Sequence, residues 1–488
     1  MENNTSDKFF KGISTQTVVS IANGVMQIVV FAIFSRILSK TDFGYYAALM
    51  GVTMIFMGLS DAGIGAAVIQ KQSPSDKFCS TAFSISLIVG VFVGCLFFSI
   101  SPFVSSLIID DSLITPMRWM TIPLVLYSIN CYAVSMLRKQ LHFGKIGILK
   151  LMSYGISSVV GIIIAIYGGG VYSLIALFVC DSLIYTILLF YNVNIPKIEI
   201  GYNEAKSVVS FGGWLTLGVI MSTIANQIDK LVLGKWLSVE RLGAYNRPSG
   251  FISNIIGQIN SVFDSVLFPI LSKFQDSKDS FRELLYRSFG LLSTIGTLLA
   301  VVLFFNSRII IIVFFGNQWL NLVDILRIVS LSAIFMLNNT LADCFFRSFN
   351  LVRQGFFIRS VGLLLSLLFL YIGVKYDIVG VALSVLLSNF LVVCFKLVFL
   401  CHRSGASVAK LMKLSLRALI PSLPIIAIGL FFELLPQSII LVVIESALIT
   451  MVLLMLLFRY PDFMGQEYKK LIFSKVKCAL NNITSPSN

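Results

Sequence analysis

Charged side chains inside otherwise apolar stretches are the residues of this chain best suited to bind an ion or a phosphate. Asp229 and Lys230 are neighbours in one such stretch, Asn226 and Gln227 precede them, and Lys235 follows. An ionisable group within a bilayer costs roughly 2.5–3.5 kcal/mol on insertion scales, so it usually faces a partner or a cavity. Lysine binds phosphate through charge-assisted hydrogen bonds. The cluster predicts either an anion-binding cavity or a polar contact between helices, and Lys235 can also reach the membrane surface.

Carboxylates inside apolar stretches have a different chemistry. Asp61 lies in the small-residue segment SDAGIGAA, deep in the second predicted span, and Asp229 lies in the seventh. A buried carboxylate can carry a proton, bind a cation, or bond to a neighbouring helix. We therefore hold Asp61 and Asp229 as candidates for ion coupling or gating, with a structural contact as the alternative.

Three arginines complete the candidate set. Arg36 ends the first span, whose Ser20, Asn23 and Gln27 lie on one helical face. That face predicts contact with water or with another helix. Arg247 precedes the eighth span and Arg118 opens the fourth.

Composition identifies the elements that position these charges. Hydrophobic residues make up 57% of the 488 positions and charged residues 12%, with a mean hydropathy of +0.91. A soluble domain has about 25% charged residues, so the chain is predicted to be an all-α polytopic membrane protein. A span needs roughly 20 apolar residues, which predicts about 14 transmembrane helices. They lie near 14–35, 44–69, 79–100, 115–136, 148–168, 171–191, 208–234, 248–270, 287–305, 323–344, 356–374, 378–400, 413–432 and 438–458.

Several function classes are excluded by the same composition. The net charge of +14 comes from basic residues between apolar spans, which does not fit the clustered basic face of a nucleic-acid-binding protein. The eight cysteines form no CxxC pair and only two histidines are present, so neither a metal centre nor a disulfide framework is predicted. No catalytic residue set and no cofactor are predicted either.

An internal repeat organises the spans. RILSKTDFGYY at 36–46 recurs as KWLSVERLGAY at 235–245, and Tyr167 and Arg138 recur as Tyr376 and Arg347. Similarity at a nearly fixed offset indicates duplication. A unit of this size is typical of the halves of a secondary transporter. The repeat predicts two six-helix lobes plus two extra C-terminal helices.

The predicted units are an N-lobe at 1–200, a C-lobe at 201–403, two further helices at 404–458 and a basic amphipathic tail at 459–488. The tail alternates lysines with apolar residues, as a helix lying on anionic membrane lipids would. Lysine and arginine are concentrated in alternate loops, which predicts that both termini are cytoplasmic.

Six segments carry a family resemblance: SDAGIGAAVIQ (60–70), LRKQLHFGKIG (137–147), FGGWLT (211–216), DKLVLGKWLSVERLGAYN (229–246), VLFPILSKFQD (266–276) and VFFGNQWL (313–320). With them the chain resembles, over nearly its whole length, polysaccharide exporters of the flippase type. These form the branch of the multidrug, oligosaccharidyl-lipid and polysaccharide exporter superfamily that includes the colanic acid exporter. The resemblance implies two lobes around a central cavity in the bacterial inner membrane, working by alternating access.

The resemblance also implies a substrate. It is a polyprenyl-diphosphate-linked oligosaccharide, supplied by glycosyltransferases and consumed by a polysaccharide polymerase. A diphosphate requires cations in the cavity. For these we predict Arg36, Lys230 and Lys235, and we take Arg118 and Arg247 as secondary candidates. Protons, sodium and the membrane potential remain alternative driving forces. A cation-coupled multidrug antiporter and a membrane-embedded glycosyltransferase or ligase are the competing hypotheses.

Overall fold

The structure is a computed structural model. It describes residues 2–459, apart from 62, 72–73, 109, 141, 274–277, 350 and 436–437. The predicted amphipathic tail therefore lies outside the described residues, except for its first position.

Every regular element in this described part is helical. The α-helices are α1 (Glu2–Ile37), α2 (Lys40–Asp61), α3 (Ile64–Gln70), α4 (Asp76–Ile108), α5 (Ile114–Lys139), α6 (Phe143–Ile166), α7 (Val171–Asn192), α8 (Tyr202–Trp236), α9 (Val239–Lys273), α10 (Lys278–Phe305), α11 (Ser307–Ile310), α12 (Val323–Ser348), α13 (Val352–Gly373), α14 (Asp377–Ser404), α15 (Val408–Leu419), α16 (Leu423–Glu433) and α17 (Ile439–Arg459).

Fourteen long helical segments result when the continuous stretch Val408–Glu433 is counted once. Ten segments among the described residues are apolar and long enough to span a membrane, and one of them, Arg353–Ser404, contains two helices. The prediction of an all-α polytopic membrane protein is confirmed.

The duplication is visible in helix packing. Within the first lobe α4 packs on α5, α6 on α7, and α5 on α7; within the second, α10 packs on α12, α13 on α14, and α12 on α14. These contacts correspond pair by pair when α1, α2, α4, α5, α6 and α7 are matched with α8, α9, α10, α12, α13 and α14. The C-terminal helices α15, α16 and α17 pack against α10, outside the six-helix set. The predicted division at particular residue numbers remains a prediction.

The lobes meet mainly through α2, which packs against both α8 and α9. We call the end of the bundle that carries the turns at 38–39 and 237–238 the repeat-turn end, and the opposite end the far end. The largest hydrophobic cluster includes Phe34, Phe43, Tyr245, Phe315 and Trp319, and therefore joins both lobes at the repeat-turn end.

Two sequence predictions are wrong in detail. The second span ends at Asp61 instead of continuing to 69, because Gly63 has φ 67° and a separate helix α3 follows. A left-handed residue interrupts the helical hydrogen-bond ladder, so Asp61 lies at a helix end and not deep within a span. The eighth span, predicted at 248–270, begins at Val239, so Pro248, the first residue of the predicted span, lies inside the helix.

Candidate functional site

The repeated sequence motif caps the second helix of each lobe. The Ser39 N–H and Oγ–H donate to Asp42 Oδ2 at 3.0 and 2.6 Å, and the Asp42 N–H donates back to Ser39 Oγ at 3.1 Å. In the second copy Ser238 Oγ accepts from the Arg241 N–H at 3.3 Å. Serine at this position satisfies a backbone donor that the helix leaves unpaired. The conserved spacing of the two copies thus has a local structural cause.

The repeated glycines bring the lobes into direct contact. A Cβ added to Gly44 would lie 1.9 Å from the Val239 carbonyl oxygen, and one added to Gly243 would lie 1.9 Å from the Lys40 carbonyl oxygen. Only glycine permits so close an approach of two backbones. The lobes are therefore closed against each other at the repeat-turn end.

A second pair of loops supports these turns. Gly168 and Asp377, at matching positions of the repeat, both have left-handed backbones, with φ 82° and 60°. In the C-lobe, Asp377 Oδ1 forms an ion pair with Arg241 Nη1 at 3.0 Å. In the N-lobe, Asp42 Oδ1 lies 2.8 Å from where a Cβ of Gly170 would be. Equivalent loops therefore contact equivalent repeat turns in the two lobes, although the side chain at the turn is Asp42 in one and Arg241 in the other.

Arg36 joins this closed junction. Its Nη2 donates to the Val313 carbonyl at 2.8 Å, while Gln318 Nε2 and Trp319 Nε1 donate to the Ser35 carbonyl at 2.7 and 3.0 Å. Arg36 is exposed and lines an open depression of about 390 Å³ with the 312–318 segment. We call the surface where α1 and α2 meet α8, α9 and residues 311–322 the lobe seam.

Arg247 is buried in the lobe seam inside a cage of aromatic rings. Its guanidinium carbon lies 3.6 Å from the Phe31 ring centroid and 3.3 Å from that of Phe43, and within 6 Å of those of Phe315 and Trp319. The side chain is 3% exposed. A desolvated cation–π contact contributes about 2 kcal/mol, so the rings replace part of the lost hydration.

No carboxylate neutralises this arginine within the described residues. Its Nη2 donates to the Phe31 carbonyl at 3.1 Å and to Ser35 Oγ, and its Nε has no hydrogen-bond partner there. A buried cation without a counter-ion carries a large desolvation cost. In the described part of the chain, Arg247 thus carries a positive charge with no ion-pair partner.

Lys230 and Asp229 lie on α8 in the same seam. Lys230 Nζ donates to Gln227 Oε1 at 2.8 Å, and Asp229 Oδ2 accepts from the Tyr245 hydroxyl at 2.8 Å. The Lys230 Cβ is 3.8 Å from where a Cβ of Gly51 on α2 would be, so the lysine faces the N-lobe. The two adjacent charges have separate partners, as residues one position apart on a helix must.

The other predicted residues lie apart from these contacts. Lys235 is exposed in the last turn of α8. Arg118 is exposed and lies over the Phe98 ring of α4, 4.8 Å from its centroid. Asp61 lies beside Cys131 of α5, within the N-lobe. The structure thus brings Arg36, Lys230, Arg247 and Asp229 to the lobe seam, and Arg118 and Asp61 to other surfaces.

Two ion-pair clusters, each with one buried member, were missed by sequence reasoning. Lys396, 1% exposed, donates to Asp343 Oδ1 and Asn339 Oδ1, both at 2.6 Å, and Arg359 Nη2 lies 3.0 Å from the same Asp343 oxygen. In the N-lobe, Lys150 pairs with Asp181. One signal was present, because Arg359 follows Lys150 by 209 positions, the same offset that separates the repeated tyrosines and arginines.

Comparison with known proteins places this architecture in a family. The family model described as polysaccharide biosynthesis protein matches residues 33–324, more than half of the chain. The chain belongs to this family. It is 23% identical over 342 residues to the teichuronic acid biosynthesis protein TuaB of Bacillus subtilis, covering 67% of this chain and 68% of that protein. It is also 23% identical to the lipopolysaccharide biosynthesis protein WzxC of Escherichia coli, covering 64% and 63%.

Solved structures share the fold. A lipid II flippase MurJ in an inward closed conformation aligns with a TM-score of 0.70 at 16% identity, covering 94% of this chain and 99% of that one. An inward-facing multidrug resistance transporter of the MATE family aligns with a TM-score of 0.62 at 12% identity, covering 80% and 98%. The predicted resemblance to this superfamily of exporters is confirmed, and these structures establish the fold alone.

Proposed function

We propose that this family member moves a polyprenyl-diphosphate-linked oligosaccharide from the inner to the outer leaflet of a bacterial cytoplasmic membrane by alternating access. The observation that carries the proposal is the group of cations at the lobe seam. Arg36, Lys230 and Arg247 all lie where the two lobes meet, and Asp229 is the carboxylate adjacent to Lys230. A diphosphate is the substrate group that this excess of positive charge suits.

The closed repeat-turn end supports a gating role for the seam. With lysine and arginine concentrated at the far end, that end is cytoplasmic in our proposal, and the repeat-turn end faces outward. The contact of Gly44 with Val239 then closes the outer side. Separation of α2 from α9 at this contact would open it and expose Arg247.

The two carboxylates have secondary roles in this proposal. Asp229 accepts a hydrogen bond from Tyr245 within the C-lobe and is adjacent to Lys230, which faces the N-lobe, so it is the gating candidate. Asp61 marks the break between α2 and α3 and is the candidate for ion coupling within the N-lobe.

The competing hypotheses predict other charges. A multidrug antiporter that takes up cations requires an acidic cavity, whereas the described seam is basic. A membrane-embedded glycosyltransferase or ligase requires paired acidic residues on an outer loop; Asp110 and Asp111 are adjacent at the repeat-turn end, but Asp110 accepts from the Ser112 N–H and the Tyr45 hydroxyl as a local cap. The names of the relatives concern teichuronic acid and lipopolysaccharide biosynthesis, which supports a glycan substrate for this chain as well.

The test uses a strain that depends on this protein for glycan export. Arg36→Ala and Lys230→Ala should each abolish export while the protein remains in the membrane at its normal amount. Lys206→Ala is the matched control, because Lys206 is an exposed cation in the first turns of α8. Normal export in both seam variants would refute the cation assignment, and drug resistance without glycan export would favour the antiporter.

A further inference from the structure

Helix α15 presents three chemically distinct faces. Leu411 and Ala418 are buried, and the helix packs against α10. Val408, Met412, Leu416 and Leu419 are exposed and apolar. Lys410, Lys413 and Arg417 are exposed and fall within about 60° of arc, given 3.6 residues per turn. We call these three cations the basic stripe.

Among the residues that the structure describes, no ion pair joins the basic stripe to a carboxylate. The sequence contains no aspartate or glutamate between Asp377 and Glu433. The nearest carboxylates on α10 already serve arginines of their own helix, since Arg282 pairs with Asp279 and Arg287 with Glu283. Lys410 lies over the Tyr286 ring of α10, 4.2 Å from its centroid, which holds one end of the stripe in place.

The position of the stripe relates it to the membrane surface. It begins at the far end of the bundle and rises about 10 Å from Lys410 to Arg417 at 1.5 Å per residue. The polar layer on each side of a bilayer is roughly 5–8 Å thick. The stripe is therefore at least as long as the headgroup layer is thick, and the exposed apolar face lies beside it.

We infer that the basic stripe of α15 binds anionic phospholipid headgroups. The phosphodiester accepts hydrogen bonds from the three cations, while an acyl chain of the same lipid lies on the apolar face formed by Met412, Leu416 and Leu419. A free phosphate would use the cations alone and leave that face uncovered. This inference is independent of the transported substrate.

Lipid retention by the purified full-length protein tests the inference. The protein is equilibrated with mixed micelles of phosphatidylglycerol and phosphatidylcholine, and the bound lipids are counted by native mass spectrometry. Each cation near an anionic surface contributes a preference of about fivefold. The variant Lys410→Gln/Lys413→Gln/Arg417→Gln should therefore lose the preference for phosphatidylglycerol by a factor on the order of one hundred, and Arg417→Gln alone by about fivefold.

The matched control removes the same charge elsewhere at the far end. Lys145, Lys197 and Lys206 are exposed there and belong to other segments, and their triple glutamine variant should keep the preference. Equal loss in both triple variants, or no loss in the α15 variant, would overturn the inference. Release of the bound lipid by millimolar inorganic phosphate would also overturn it, since that result identifies a phosphate site. If the triple variant does not fold, the test uses Arg417→Gln alone, and an unchanged preference for phosphatidylglycerol in that variant would overturn the inference.

Discussion

Replacing Gly44 by alanine should hold the repeat-turn end open. The new Cβ would lie 1.9 Å from the Val239 carbonyl oxygen and 2.7 Å from the Val239 carbonyl carbon. Both are backbone atoms of a helix and neither can rotate away. An ordinary contact requires about 3.4 Å, so α2 and α9 must separate by roughly 1.5 Å. Overpacking of this kind costs about 1–3 kcal/mol, which reduces the closed population by roughly five- to more than a hundredfold.

Accessibility of the seam measures this shift. Ser35 is fully buried and its carbonyl accepts from Trp319, so a Ser35→Cys reporter, in a background from which the native cysteines have been removed, should react slowly with a membrane-impermeant thiol reagent. Adding Gly44→Ala should accelerate labelling at least fivefold and reduce glycan export. Alanine also raises helix propensity by about 1 kcal/mol, an effect that the control must share.

Gly250→Ala and Gly257→Ala provide that control. Both glycines lie on α9, and a Cβ at either position meets nothing within 4 Å. These variants should label and export as the parent does. If Gly44→Ala also labels at the parental rate, the contact between α2 and α9 does not gate the seam and the reasoning from its geometry is refuted.

Three further substitutions probe the charges. Arg247→Lys should lower export at least tenfold in the same assay, because an ammonium cannot stack flat between two rings as a guanidinium does; normal export would show that charge alone suffices. Asp343→Asn should destabilise the protein by about 3–5 kcal/mol, since it leaves the buried Lys396 without a counter-ion, and an unchanged melting temperature in detergent would contradict this. Arg241→Ala removes an ion pair with Asp377 that is half exposed, so its effect on the same melting temperature should correspond to no more than about 1 kcal/mol.

The spans and the repeat were predictable because each depends on local sequence. A membrane helix requires a run of apolar residues whatever its neighbours are, and the turns depend on Ser39 and Ser238 capping their own helices. The break at Asp61 was missed because small and apolar residues continue beyond Gly63 as far as Ile69. A single left-handed glycine leaves no trace in hydropathy.

The contacts between lobes could not be predicted in the same way. Phe31, Phe43 and Phe315 come from three segments far apart in the sequence, and only the closed seam places their rings around Arg247. The pairing of Lys396 with Asp343 likewise joins two helices. In both cases the residue types were evident, but their partners depend on tertiary packing.

The aromatic cage gives the lobe seam a property that an ion pair would not. A carboxylate partner for Arg247 would compete with any incoming phosphate, whereas the rings of Phe31 and Phe43 belong to the N-lobe and stay there when α9 moves away. In the proposed cycle, opening of the repeat-turn end would therefore release an arginine with no acidic side chain to neutralise it. Closure would return it to the rings and withdraw it from the diphosphate. In that cycle, the order of these two environments would make substrate release and gate closure parts of one movement.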